Sequence, residues 1–253
     1  MSLEEKNLVI VPTYNESGNI EELVRKTFAH SPKIHMLFVD DNSQDSTVDK
    51  IRIEQSRRPG QVELIQRAGK LGLGTAYIAG FKWALQRDYQ HIIEMDADLS
   101  HDPAEIPTML EWLKTYPVAI GSRYVDGGGT MNWGLFRRLL SRFGSIYGRT
   151  ILGIQVKDLT GGFNGWRASV LKAIDPDSVR SQGYAFQIEL KYRAIRSGFS
   201  IKEFAILFAD RTIGQSRMSS RIVVEAMVRV WSLRRLVNQC TVIKSCHSVP
   251  PLL

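Results

Sequence analysis

The stretch His91-Ile92-Ile93-Glu94-Met95-Asp96-Ala97-Asp98-Leu99-Ser100 decides how this chain is read. It begins as a short apolar strand and ends in two carboxylates. Asp96 and Asp98 are two residues apart, so an extended backbone points both side chains the same way. Two like charges on one face of a strand end repel each other. One justification is a divalent cation, because hard carboxylate oxygens hold Mg²⁺ or Mn²⁺ and leave positions open for a phosphate ligand. The other reading is a solvated polar loop with Asx turns. Asp-x-Asp alone does not separate the two.

The segments before it do more. Lys6–Val11 is a near-continuous apolar run, as in a strand buried on both faces, and Pro12-Thr13-Tyr14-Asn15-Glu16 breaks it. Ile20–Lys26 has the spacing of an amphipathic helix. Lys33–Val39 is a second strand, ending in Asp40-Asp41-Asn42-Ser43, and Ser46-Thr47 opens a second helix. Gln61–Gln66 is a third strand, followed by a loop with Gly69, Gly72 and Gly74 and a helix over Thr75–Leu85. Strands and helices alternating at this spacing predict βαβ units and a mostly parallel, Rossmann-like α/β sheet flanked by helices. Ligands of such sheets bind beyond the carboxyl ends of the strands. The unusual residues of four successive βα junctions fall there, and their convergence favours the cation site over the loop.

Downstream, Asp102-Pro103-Ala104-Glu105 reads as a helix start capped by Asp102, before a helix over Ile106–Tyr116. Val118–Tyr124 is a further strand with Arg123 at its end, and Gly127-Gly128-Gly129 divides the chain into halves, 1–126 and 130–237. Leu135–Leu152 and Arg221–Arg235 each mix apolar residues with arginine and carry almost no acid. That composition suits a helix lying in a membrane interface, and equally an amphipathic helix docked on the sheet. Residues 238–253 show no pattern and read as an irregular tail.

Composition sets the partners. Hydrophobic content of 43% and charged content of 23% are those of a folded globular chain rather than a disordered one. The net charge of +7 is uneven: residues 1–130 hold 14 Lys and Arg against 19 Asp and Glu, and residues 131–253 hold 19 against 7. A basic half seeks an anionic partner: nucleic acid, a membrane surface or a phosphorylated substrate. The N-terminus lacks the layout of a signal peptide, no apolar run is long enough to span a bilayer, and Cys240 and Cys246 form no disulfide framework. An intracellular compartment is expected.

Taken together, Pro12–Glu16, Val39–Ser43, Gly72–Tyr77, Asp96–His101, Gly121–Tyr124, Asp158–Phe163, Gly183–Glu189 and Asp210–Ser216 closely resemble, in order and spacing, the polyprenol (dolichyl) phosphate mannosyltransferases, inverting glycosyltransferases of the GT-A fold. The resemblance covers about residues 7–237, read as a single catalytic domain. It implies transfer of mannose from GDP-mannose to a polyprenyl or dolichyl phosphate, giving a β-linked lipid phosphomannose. It implies Mg²⁺ or Mn²⁺ at Asp96, Asp98 and Ser100, with Asp96, Asp98 and Arg211 catalytic. The implied donor pocket comprises Pro12, Tyr14, Glu16, Val39, Asp40, Asp41, Gly74 and Ala97, with Arg211 and Arg217 as cations. Arg123, Arg137 and Ser141 are the candidates for the acceptor phosphate. Asp158 reads equally as a substrate contact or a turn residue, and Gln187 and Glu189 either orient the sugar or pack. With no appended transmembrane helices, the chain looks like the short catalytic type. It is expected at the cytoplasmic side of a membrane, reaching lipid through a membrane-anchoring protein partner or its own amphipathic helices. A lipid phosphate glucosyltransferase or another UDP-sugar enzyme is the alternative in the same class. A nucleic-acid binder would explain the basic half but not the four converging junctions. A dinucleotide oxidoreductase would need a third glycine where Tyr77 stands.

Overall fold

In a computed structural model, residues 5–210 and 227–235 are described. The alternating pattern forms as expected through the first four strands: β1 (Asn7–Thr13), α1 (Ile20–His30), β2 (His35–Asp40), α2 (Thr47–Arg57), β3 (Val62–Gln66), α3 (Leu73–Leu85) and β4 (His91–Glu94). α3 begins at Leu73, so Gly74 lies in its first turn rather than in the loop. A 3₁₀ turn (Pro103–Glu105) follows, in which Asp102 accepts a hydrogen bond from the Ala104 N–H as the sequence predicts. Then come α4 (Ile106–Thr115) and β5 (Val118–Ser122), a strand that stops short of Arg123.

The second half supplies β6 (Gly129–Thr130), α5 (Leu135–Leu152), β7 (Asn164–Arg167), α6 (Ala168–Ile174), α7 (Gly183–Arg196), β8 (Ile201–Ala205) and β9 (Leu207–Phe208). A last described helix, α8, covers residues 227–235. The main sheet has the order β3-β2-β1-β4-β7-β5-β8. Every pairing in it is parallel except those of β7, which runs antiparallel between β4 and β5. The sheet therefore interleaves strands from both sides of the triple glycine. Gly165 makes this insertion sterically feasible: a Cβ there would lie 2.8 Å from Leu113 Cδ1 and Met109 Sδ of α4. β1 and β2 are apolar on both faces because each face carries a core. One core includes Tyr77, Phe81, Trp166 and Phe186, and the other Val9, Phe38, Ile93 and Phe163.

Candidate active site

The strand register assembles the site's nucleotide-side edge. Thr13 of β1 lies opposite Asp40 of β2. The Thr13 hydroxyl donates to Asp40 Oδ2 at 2.8 Å, and the Ser43 N–H donates to Oδ1 at 2.8 Å. Asp40 is fully buried, so it ties two strand tips together. The structure thus separates it from Asp41, beside which the sequence places it in the donor pocket. Asp41 faces the glycine loop: Arg67 Nε donates to its Oδ1 at 2.5 Å, and the N–H groups of Leu71 and Gly72 donate to Oδ2 at 3.1 and 3.0 Å. Arg67 also donates to Thr75 Oγ1 at 2.7 Å and to the Gly72 carbonyl at 3.0 Å, locking the loop to the start of α3. Gly72 takes φ +100°, a left-handed conformation that favours glycine.

The other donor-side candidates surround this edge. Pro12 and Val39 are strand partners beneath it. Lys70 Nζ sits 4.2 Å above the Tyr14 ring. Glu16 accepts from Asn19 Nδ2 at 2.9 Å, while its N–H donates to Thr47 Oγ1 at 2.8 Å.

At the end of β4 the two carboxylates differ. Asp98 is buried, and its Oδ1 accepts from the Ser100 N–H at 3.0 Å. Asp96 keeps 32% of its side chain exposed. Ala97 between them is buried, and Leu99 takes φ +61°. His101 fixes the turn from behind. Its Nδ1 accepts the Asp96 N–H at 3.1 Å, and its ring packs against Phe163 and Phe208 at centroid distances of 5.3 and 5.1 Å. Burial holds the imidazole below its ordinary pKa, against the pull of Asp96 and Asp98. The neutral ring therefore carries its proton on Nε2. Tyr77 lies behind the pair; burial, then the charges of Asp96, Glu94 and Asp98, push its phenol well above the ordinary range.

Among the described residues, no cluster of three or more His, Cys, Asp or Glu could hold a metal unaided. Two carboxylates and the buried Ser100 hydroxyl, whose oxygen has no hydrogen-bond partner, form a partial set of hard oxygen donors. Such a set fits a cation completed by water and substrate phosphate, as Mg²⁺ and Mn²⁺ sites commonly are.

The acceptor side is built around Arg123, in the turn after β5. Arg123 Nε donates to Asp158 Oδ2 at 2.8 Å, Nη2 to Oδ1 at 2.7 Å, and the backbone N–H to Oδ2 at 3.0 Å. Nη2 also reaches Thr160 Oγ1 at 2.9 Å. Asp158 is thus the turn's anchor and the partner of the predicted phosphate arginine. Arg123, Arg138 and Arg142 line a cavity of about 300 Å³ with Tyr124, Leu135 and Leu139. The Tyr124 hydroxyl donates to Ser141 Oγ at 2.7 Å, leaving the Ser141 proton available to another acceptor. Arg137 lies in α5; Arg211 and Arg217 lie outside the described residues.

Gln187 and Glu189 are both buried. Gln187 Nε2 donates to Glu94 Oε2 at 2.6 Å. Glu189 accepts from the Ser181 N–H at 2.9 Å and pairs with Arg193. Glu94, further held by Trp166 Nε1 and Asn164 Nδ2, is pushed up to about 7 by burial. Sequence reasoning did not single out Arg67 or Lys191, and it reads Arg138 and Arg142 as cations of an amphipathic helix rather than as lining of the acceptor site. Arg67 had a readable signal, an arginine directly after a strand whose neighbour ends in Asp41.

α5 presents its apolar residues to solvent. Leu135, Leu139, Phe143 and Ile146 are 71, 59, 55 and 42% exposed. Ser145, Gly148, Ile151 and Leu152 face inward. α8 packs on it through Trp231 Nε1, which donates to the Tyr147 hydroxyl at 3.0 Å, and leaves Val228 and Trp231 exposed. Among the described residues, no helix is long and apolar enough to cross a membrane.

The family model described as glycosyl transferase family 2 matches residues 8–175. Polyprenol monophosphomannose synthase of Mycolicibacterium smegmatis is 42% identical over 236 residues, 91% of this chain and 88% of that protein. Undecaprenyl-phosphate mannosyltransferase of Micrococcus luteus is 42% identical over 228 residues, 89% of this chain and 93% of that protein. Among solved structures, glucosyl-3-phosphoglycerate synthase from Mycobacterium tuberculosis, in complex with Mn²⁺ and UDP-glucose, superposes with a TM-score of 0.65 at 16% identity, covering 94% of this chain and 80% of that one. The same enzyme with UDP gives 0.65 at 16% identity, covering 92% and 81%. These likenesses carry the fold, a GT-A architecture.

Proposed function

This chain belongs to glycosyl transferase family 2, and from that premise we propose that it transfers mannose from GDP-mannose to the phosphate of a polyprenyl or dolichyl lipid, with inversion at the anomeric carbon. One observation carries the reading: the carboxylate end of β4 and an arginine-lined, partly apolar cavity share one sheet edge. Such an edge suits two anionic substrates, one of them a lipid.

The donor enters over the ends of β1 to β4, with Asp41, Tyr14 and Glu16 around the nucleoside. Asp96, Asp98 and Ser100 would hold Mg²⁺ or Mn²⁺, which as a Lewis acid neutralises the charge that builds on the leaving diphosphate. His101 and the buried Asp98 turn keep these oxygens in place. The acceptor phosphate is already anionic near neutral pH, so attack on the anomeric carbon needs no strong general base. What it needs is cations. Arg123, Arg138 and Arg142 supply them, since a guanidinium fork matches phosphate oxygens, and Ser141 adds a hydroxyl donor. Arg137, Arg211 and Arg217 keep the phosphate and donor roles that the resemblance implies.

The exposed stripe of α5 and α8 is the face that meets the bilayer, leucines and aromatics in the lipid and arginines at the headgroups. We place the protein peripherally at the cytoplasmic leaflet, alone or with an anchoring protein.

A single assay tests the donor and acceptor together. The protein is incubated with Mg²⁺ or Mn²⁺, a short polyprenyl phosphate and, separately, labelled GDP-mannose or UDP-glucose. Label from GDP-mannose should pass into the organic phase. Label passing only from UDP-glucose would overturn the donor.

A further inference from the structure

Among the described residues one lysine, beside the site, is completely buried, and no step described so far uses it. Lys191, in the third turn of α7, has 0% of its surface exposed. Its Nζ donates to the carbonyls of Asp158, Leu159 and Gly161 at 3.0, 3.2 and 2.8 Å. An ammonium has three protons, and all three are used on one short segment. We propose that Lys191 is a positioning residue for the transfer reaction, a buried cation that shapes the 158–162 turn and so holds the acceptor arginine and the metal carboxylate in fixed relation. The proposal rests on the glycosyl-transfer reading above.

That turn bridges the two substrate sides. At its start, Asp158 and Thr160 hold the Arg123 guanidinium. At its end, Gly162 lies against Asp96: a Cβ built on it would be 3.8 Å from both carboxylate oxygens. Only three residues thus separate the partner of the phosphate arginine from the neighbour of the metal carboxylate. The three carbonyls turn inward; without the ammonium that of Gly161 keeps Asn164 Nδ2 at 3.2 Å, while those of Asp158 and Leu159 lose a charged donor, a costly loss for a buried acceptor. Filling space is not reason enough for a lysine here. An apolar side chain of similar length would pack without the cost of burying a charge. Burial does press on the charge, lowering the pKa to about 8, while the Asp158 and Glu94 carboxylates favour the cation. At neutral pH the ammonium therefore persists and can organise the carbonyls.

The test is Lys191→Met, which keeps length and removes the cation. The nucleoside contacts lie at the ends of β1 and β2, away from the 158–162 turn, and Asp96 is one of three residues offering oxygen to the cation, so the Kd for GDP-mannose should change by less than about threefold. The KM for polyprenyl phosphate should rise by about tenfold or more, with a fall in kcat, since Arg123 and Asp96 no longer share one frame. If Lys191 acts through Arg123, adding K191M to Arg123→Lys should cost less than about threefold further, a non-additivity expected of residues in one network. Wild-type kinetics in a K191M protein that merely melts earlier would overturn the proposal, as would equal losses toward donor and acceptor, or full additivity with R123K. If K191M is not recovered folded, Lys191→Gln, which restores one donor, is read by the same split, and wild-type kinetics there overturn it too. The split is read with whichever sugar nucleotide the wild type uses, so an error in the donor assignment shows in the wild-type assay and not in this comparison.

Discussion

Asp158→Asn changes one atom's identity in the most heavily bonded carboxylate of the acceptor side. In the wild type, Asp158 is fully buried and accepts from Arg123 Nε, Nη2 and the backbone N–H, and from the Gly161 N–H at 3.0 Å. The Arg123 side chain is only 6% exposed. Asparagine removes the carboxylate charge that faces the buried guanidinium and turns an NH₂ group toward N–H donors. Breaking a buried pair in this way costs about 3–5 kcal/mol. At roughly 2–4 °C per kcal/mol for a chain of this size, the melting temperature should fall by roughly 6–20 °C. The loss should also depend on pH. Burial tends to raise the Asp158 pKa, but the Arg123 charge and its hydrogen bonds outweigh burial and hold it below the ordinary 3.8. A depressed carboxyl contributes stability above its unfolded pKa and loses it as pH falls through the folded value. The gap between wild type and D158N should therefore be flat from about pH 7 to 5 and narrow below about pH 4. Urea unfolding across that range measures both effects. A difference under about 1 kcal/mol at neutral pH, or a gap that widens on acidification, would refute the buried-pair account.

Two further outcomes follow from the site and its surface. Asp98→Ala, and wild type in excess chelator, should each retain less than about 1% of transfer, with the chelated wild type restored by Mn²⁺ and the variant's melting curve near normal; full activity in chelator would remove the cation from the reaction. Replacing Leu139 and Phe143 by glutamate together should cost less than about 1 kcal/mol of stability, because both are more than half exposed. The same pair should weaken sedimentation with anionic vesicles by about tenfold or more, since each apolar side chain contributes roughly 1.5–3 kcal/mol when buried in lipid; unchanged vesicle binding would show that α5 is not the lipid-facing surface.

The parallel part of the fold was legible because β1 to β4 are apolar runs separated by helices of clear period, and a two-faced core writes that pattern into the sequence. β7 was not, because Asn164-Gly165-Trp166-Arg167 shows neither a run nor an alternation. Its place is dictated from elsewhere, by Asn164 lying opposite Glu94 and by the space Gly165 leaves for α4. Leu135–Leu152 emerged with the helical limits the sequence predicts, but periodicity could not say whether its apolar stripe would face protein or solvent. Residue type marked Asp40 and Asp41 alike. Only the register, which puts Thr13 beside Asp40, showed that the first is internal and the second faces the glycine loop. Lys191 and the Arg123–Asp158 pair escaped for a related reason. Burial and partners 30 or more residues away are properties of the folded chain.

The antiparallel β7 has a consequence for how the molecule comes into being. β4 and β5 are separated by a strand that the chain supplies only at residue 164, beyond the triple glycine and α5. Until that strand arrives, both expose an unpaired row of backbone donors and acceptors, the kind of edge that invites pairing with another chain. Pairing across such sequence separations is slow to form. The glycine hinge that divides the sequence into an acidic and a basic half is therefore not a boundary between independently folding units. Severing it would strand two sticky sheet edges, and the metal end of β4 would lose the neighbour that completes its side of the sheet.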